Sequence, residues 1–148
     1  MKLALARPAR VLLVDDNDTD VERTRAALAY AKLAVDLEAV SSGEEALAFL
    51  RREGRYTHAF TPDLVLLDVQ MPGISGIETL RLIKSDPALK AIPVIMLTSS
   101  CRDEDVLRSY TEHANAYVTK PIDMESFRSV VQRLEAFWFS VVVLPRGD

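Results

Sequence analysis

Polar residues suited to one kind of chemistry close the apolar runs of this chain. Asp15 and Asp16 follow Val11-Leu12-Leu13-Val14, and Asp68 follows Leu64-Val65-Leu66-Leu67. Thr98 follows Val94-Ile95-Met96-Leu97, and Lys120 stands just beyond the weaker run Ala116-Tyr117-Val118. Each residue taken singly is ordinary in a loop. Together they bring carboxylates, a hydroxyl and an ammonium to the ends of different apolar segments, which packing alone does not explain. Carboxylates a few Å apart repel by roughly 4 kcal/mol per pair at an effective dielectric near 20. A cation must offset that repulsion, and oxygen-only ligands point to Mg²⁺ rather than to zinc.

Other chemistries that use acidic residues fit less well. A calcium loop read from Asp16-x-Asp18-x-Asp20 would need Gly where Val21 stands and Glu where Ala27 stands. A phosphatase of the Asp-x-Asp class would need a carboxylate at Gln70. A nucleotide or flavin site would need a Gly- or Ser/Thr-rich loop after the first apolar run. Asp15-Asp16-Asn17-Asp18 would repel a phosphate unless a cation intervened.

The elements that must position these residues can be read from the pattern. The three strong runs do not alternate apolar with polar, as expected of strands buried on both faces of a parallel sheet. Val35–Val40 and Ala116–Val118 are weaker strand candidates. Between them, Thr19-x-x-Glu22, Ser42-x-x-Glu45 and Ser75-x-x-Glu78 match the capping box of a helix start. Ser100-x-x-Asp103 is a looser version, and Asp123 is placed to cap a last helix. The order is strand then helix, five times over. That predicts a doubly wound α/β sandwich with right-handed crossovers and a ligand site at the carboxyl ends of its strands. The stretch from Gly54 to Pro62 reads as a polar loop without chemistry.

Bulk properties exclude several classes. The chain has 148 residues, 49% hydrophobic and 27% charged, which suits one globular domain. A net charge of −4 gives no general reason to bind nucleic acid. Arg51, Arg52 and Arg55 read as a solvated face. The single cysteine, Cys101, excludes an internal disulfide and any metal site built on cysteines. Met1–Pro8 lacks the apolar centre of a signal peptide, and no apolar run approaches the ~18 residues of a membrane span. A cytoplasmic protein without nucleic-acid or membrane partners is expected.

Residues 9–137 resemble the receiver domain of two-component response regulators. The resemblance rests on Val14-Asp15-Asp16, on Leu67-Asp68-Val69-Gln70-Met71-Pro72-Gly73 with Gly76, on Leu97-Thr98-Ser99, and on Tyr117-Val118-Thr119-Lys120-Pro121. It implies a five-stranded, flavodoxin-like (βα)5 sandwich in which Asp68 is the phosphoacceptor. Asp16 would bind Mg²⁺ directly, Asp15 through water, and the backbone carbonyl of Gln70 would complete the protein ligands. Lys120 would pair first with the acceptor carboxylate and then with the phosphoryl oxygens, and its peptide bond to Pro121 would be cis. Thr98 and Tyr117 resemble the family's switch pair, acting on the face formed by the fifth strand and the helices flanking it. Phosphoryl transfer suits this set, since it needs an in-line nucleophile and neutralised equatorial oxygens. Small Ser99 leaves the donor a path, while Gln70 and Ser100 flank the approach of water. The resemblance also implies slow self-dephosphorylation rather than multiple turnover. A receiver-like interaction module that handles no phosphate is the alternative, but such modules usually lose one of the residues that are intact here.

The remaining residues divide into an arm, 1–8, and an apolar extension, 138–148. Trp138-Phe139-Ser140-Val141-Val142-Val143-Leu144-Pro145 is more hydrophobic than a solvated tail. It is expected to pack on its own domain or on a second copy, giving a homodimer, and no room is left for an output domain. With Ser109–Tyr117, this ending is similar to single-domain regulators paired with bacterial phytochromes. That similarity implies a phytochrome-type sensor histidine kinase as partner, with another sensor kinase as the alternative.

Overall fold

The computed structural model describes residues 8–30, 35–99, 116–120 and 125. Its strands are β1 (Ala9–Val14), β2 (Val35–Val40), β3 (Leu64–Asp68), β4 (Val94–Thr98) and β5 (Ala116–Thr119). The helices among the described residues are α1 (Asp18–Tyr30), α2 (Gly43–Arg51) and α3 (Gly76–Ser85), with a 3₁₀ turn at Gly54–Tyr56. All strand pairs are parallel, in the order β2-β1-β3-β4-β5. The chain leaves β1 for one edge and returns on its other side as β3, so the reversal that opens a ligand crevice falls between these two strands.

The sheet is apolar on both faces because alternate residues of each strand enter different cores. Leu12, Val14, Val65, Leu67, Val94 and Met96 form one with α2 and α3. Val11, Leu13, Leu64, Leu66, Ile95 and Leu97 form the other with Val21 and Leu28 of α1. This is why β1, β3 and β4 show no alternation. At the edge, β2 does alternate, with Asp36 and Glu38 exposed between half-buried Val35, Leu37 and Ala39.

Two of the capping boxes form as the spacing predicts. The hydroxyl of Ser42 accepts from the Glu45 amide, and that of Ser75 from the Glu78 amide, each at 3.1 Å. The first helix begins earlier than Thr19. Asn17 Oδ1 accepts the Asp20 amide at 2.9 Å, so Asn17 caps α1 and Thr19 lies within its first turn. The helix thus starts two residues before the Thr19-x-x-Glu22 box places it, with the amide oxygen of Asn17 satisfying an orphan donor of the first turn. The Gly54–Pro62 loop also differs from its polar reading. Tyr56 and Phe60 stack on Phe49 with ring centroids 5.3 and 5.4 Å away, which extends the core under the loop. The arginine cluster makes local pairs, Arg51 with Asp86 and Arg55 with Glu45.

The helix starts at Ser100 and Asp123, the Lys120–Pro121 bond, Cys101, the Ser109–Asn115 stretch and the 138–148 extension lie outside the described residues. Among the described residues, no helix is long and apolar enough to cross a membrane.

Candidate functional site

Strand alternation explains why three of the candidate side chains meet. Asp15 follows Leu13, Asp68 follows Leu66 and Lys120 follows Val118, each two residues on. Leu13, Leu66 and Val118 all belong to the core beneath α1, so the three polar residues project on that side of the sheet edge. The backbone then holds them there. The Asp15 amide donates to the Val40 carbonyl at 3.0 Å, the Val69 amide to the Leu97 carbonyl at 3.0 Å, and the Lys120 amide to the Thr98 carbonyl at 2.7 Å. The functional side chains therefore stand on the last rungs of the ladder rather than on free loops.

Carboxylate oxygens of Asp15, Asp16 and Asp68 lie within 4.8 Å of one another. Asp15 and Asp68 are buried, at 3% and 7% exposure, while Asp16 faces solvent. Lys120 Nζ lies 3.0 Å from Asp15 Oδ2 and 3.3 Å from Asp68 Oδ2. The Gln70 amide donates to Asp68 Oδ1 at 3.4 Å, so the loop after β3 also turns over the carboxylate. Thr98 is fully buried at the end of β4, the strand beside β3. Tyr117 is half-buried against the α2–α3 core, and it pairs in register with Met96. Thr98 follows Met96 by two, so Thr98 and Tyr117 share that face as diagonal neighbours.

Burial is the main force on the Asp68 carboxyl and raises its pKa to about 6; Lys120 pulls it down and Asp15 pushes it up again. Lys120 behaves in the opposite way. Burial alone would lower it, but hydrogen bonds to Asp20 and Asp15 and the charges of Asp68 and Asp15 more than offset this, and its pKa is raised. The ammonium is thus held charged beside an Asp68 carboxyl that burial resists ionising. A hard divalent cation fits this set, since all side-chain donors are oxygen and one lysine leaves the trio short of positive charge.

Two contributors, Asp20 and Glu44, have no role in the sequence reading of the site, and a third, Gly76, enters it only as a motif residue. Asp20, in the first turn of α1, reaches Lys120 Nζ at 2.8 Å. Glu44 of α2 accepts the Ile74 amide at 3.3 Å and so tethers the loop that carries Gln70. Gly76 brings the start of α3 against the end of β3, with its amide donating to the Val69 carbonyl at 2.8 Å. In the sequence Asp20 stands out only as part of the calcium-loop pattern that Val21 and Ala27 break. Gly76 belongs to the motif that carries the resemblance, a glycine opening a helix straight after the loop that follows Asp68.

A parallel 2-1-3-4-5 sheet with an acidic trio and a lysine at its carboxyl edge is a receiver architecture. The family profile of the response regulator receiver domain matches residues 11–132, and the chain belongs to that family. It is 38% identical over 138 residues to response regulator Rcp1 of Synechocystis sp., covering 93% of this chain and 94% of the relative. The solved structure of the bacteriophytochrome response regulator AtBRR superposes with a TM-score of 0.83 at 39% identity, covering 89% of this chain and 96% of the other. The phosphorylated cyanobacterial phytochrome response regulator RcpA gives 0.73 at 41% identity, covering 91% and 96%. Rcp1 itself has been solved in a Mn²⁺-bound form, which gives 0.71 at 38% identity, covering 88% and 94%. The chain is a receiver domain homologous to phytochrome response regulators.

Proposed function

We propose that Asp68 accepts a phosphoryl group from the phosphohistidine of a sensor kinase. The observation that carries this reading is a buried carboxylate 3.3 Å from a lysine and within 4.8 Å of two further aspartates. An Asp68 oxygen attacks phosphorus, an acyl phosphate forms, and the P–N bond to the histidine breaks. The departing imidazole nitrogen keeps the electron pair and takes a proton from solvent. Lys120 and Thr98 take up charge on the phosphoryl oxygens. Asp15, Asp16, Asp68 and the backbone carbonyl of Gln70 would hold Mg²⁺, which supplies further neutralisation of that charge. Thr98 and Tyr117, sharing one face, form the switch that carries the change to the surface around β5. Hydrolysis of the acyl phosphate is slow, and the protein is a reversible acceptor rather than a turnover enzyme.

Acetyl phosphate with Mg²⁺ should add one phosphoryl group, about 80 Da by intact mass. Asp68→Asn should abolish the increase. Equal labelling of the variant would end the assignment, and no labelling of the wild type would favour the interaction-module reading instead.

Metal binding has its own measurement. Binding to the native state adds RT ln(1 + [L]/Kd), roughly 1–3 kcal/mol at millimolar Mg²⁺ for a sub-millimolar site. The melting temperature should climb with Mg²⁺, and Asp16→Ala should flatten the response. Indistinguishable titrations would place the metal elsewhere.

The partner we infer is a phytochrome-type histidine kinase, and the cytoplasm is the proposed compartment. Likeness to Rcp1 and to the bacteriophytochrome regulators supports that partner. We take 9–137 as the receiver and 138–148 as a dimer contact. Burying about 400–600 Å² of apolar area per chain from Trp138–Leu144 offers roughly 10 kcal/mol gross, much of it lost to the entropy of association. A two-fold dimer is the default for such a self-complementary patch. Sedimentation should show a dimer at tens of micromolar and a monomer for a chain cut after Phe137. A monomeric full-length protein, with and without phosphodonor, removes the idea.

A further inference from the structure

Lys120 has more carboxylate around it than the acceptor site requires. Its ammonium carries three protons, and three carboxylate oxygens surround it. The nearest is Asp20 Oδ2 at 2.8 Å, followed by Asp15 at 3.0 Å and Asp68 at 3.3 Å. Asp20 is not one of the trio whose oxygens come within 4.8 Å of each other. It sits on α1, which packs on this side of the sheet through Val21 and Leu28. Its backbone is fixed by the bond from its amide to Asn17 Oδ1. A role as a mere helix-terminus acid does not account for this position. Asp18, exposed in the same turn, already offers a negative charge to the helix dipole. The side chain of Asp20 is instead turned inward, at 27% exposure, onto a lysine that is 12% exposed.

We propose that Asp20 is a positioning residue that anchors Lys120 on the α1 side of the pocket and takes up one of its donors and part of its charge, so that less of both bears on Asp15 and Asp68, where a divalent cation would bind. The inference rests on the metal-assisted acceptor reading above. An ammonium and a divalent cation compete for the same oxygens of Asp15 and Asp68. With Asp20 in place, one N–H is committed away from them and part of the lysine's charge is offset. Without Asp20, the ammonium turns its full charge and its freed donor on the two buried carboxylates.

Calorimetric titration of the full chain with Mg²⁺ alone, at about 0.15 M salt to screen distant charge, tests this. Asp20→Asn should weaken Mg²⁺ binding about three- to ten-fold, the scale of one partly buried charge pair. Asp20→Glu should recover part of the loss. In a Lys120→Met background the same Asp20→Asn change should shift Kd by less than about two-fold, because the competitor is gone. An unchanged Kd in the wild-type background overturns the proposal. So does an equal fold-change in both backgrounds, which would mark Asp20 as a remote charge acting without Lys120. A wild type that binds no Mg²⁺ instead removes the metal-assisted reading, and this inference with it.

Discussion

Without divalent cation at pH 7.5, Asp68→Asn is expected to be more stable than the wild type by roughly 2–3 kcal/mol. The reason is the raised carboxyl at the end of β3, whose pKa stands at about 6 because burial outweighs the help of Lys120. A carboxyl raised on folding binds its proton more tightly in the native than in the unfolded chain. Its contribution is therefore complete below the unfolded value near 4 and is lost as pH rises through about 6. Asparagine cannot ionise, so the variant escapes the loss. Urea unfolding in chelator at several pH values should show the gap between the two proteins opening between about pH 4 and 6.5 and levelling above that. Comparison with the variant cancels the other carboxylates, which titrate in both. Saturating Mg²⁺ should narrow the gap, since a cation favours the ionised acceptor. A gap that stays flat with pH, or a less stable variant throughout, would contradict the electrostatic account. Under this account the chain holds a carboxylate its own packing disfavours, as the proposed role of Asp68 requires, since a carboxyl must be ionised to attack phosphorus.

The second large effect is expected at Gly76. A Cβ there would run into the carbonyl oxygen of Asp68, with Asp68 C and Val69 Cα at 2.8 Å. All of these are backbone atoms, so no side chain can swing aside. Alanine must push the start of α3 off β3 and break the bond from the Gly76 amide to the Val69 carbonyl. Overpacking of this kind costs about 3 kcal/mol, and the lost bond adds about 1. For a chain of this length the melting temperature should fall by roughly 8–16 °C. Because the displaced residue is Asp68, phosphorylation by acetyl phosphate should slow by about a hundredfold even where the variant is folded. Gly54→Ala is the control. Nothing lies within 4 Å of a Cβ there, and its φ of +59° should cost only about 1 kcal/mol. Gly76→Ala melting within a degree or two of the wild type would show that α3 is not seated as tightly as this.

What could be read in advance was governed by local periodicity. Unbroken apolar runs such as Leu64–Leu67 announce a strand buried on both faces, and the residue ending each run then sits at the carboxyl edge of a parallel sheet. That was enough to bring Asp15, Asp68, Thr98 and Lys120 to one edge and to identify the family. Capping at Ser42 and Ser75 was legible for the same reason, since donor and acceptor are three residues apart. Asn17 and Thr19 are both types that cap helices, and which of them does so depends on where the chain leaves β1.

Contacts between distant segments carry no such signature. The pairing of Lys120 with Asp20 spans 100 residues, and the tether from Glu44 to Ile74 spans 30. The aromatic packing of Tyr56 and Phe60 on Phe49 needed the loop to fold back on α2. Which face of the sheet α1 covers decides whether Asp20 meets solvent or the ammonium. That choice follows from the handed crossover and from the packing of Val21 and Leu28, and a pattern read along one segment records neither.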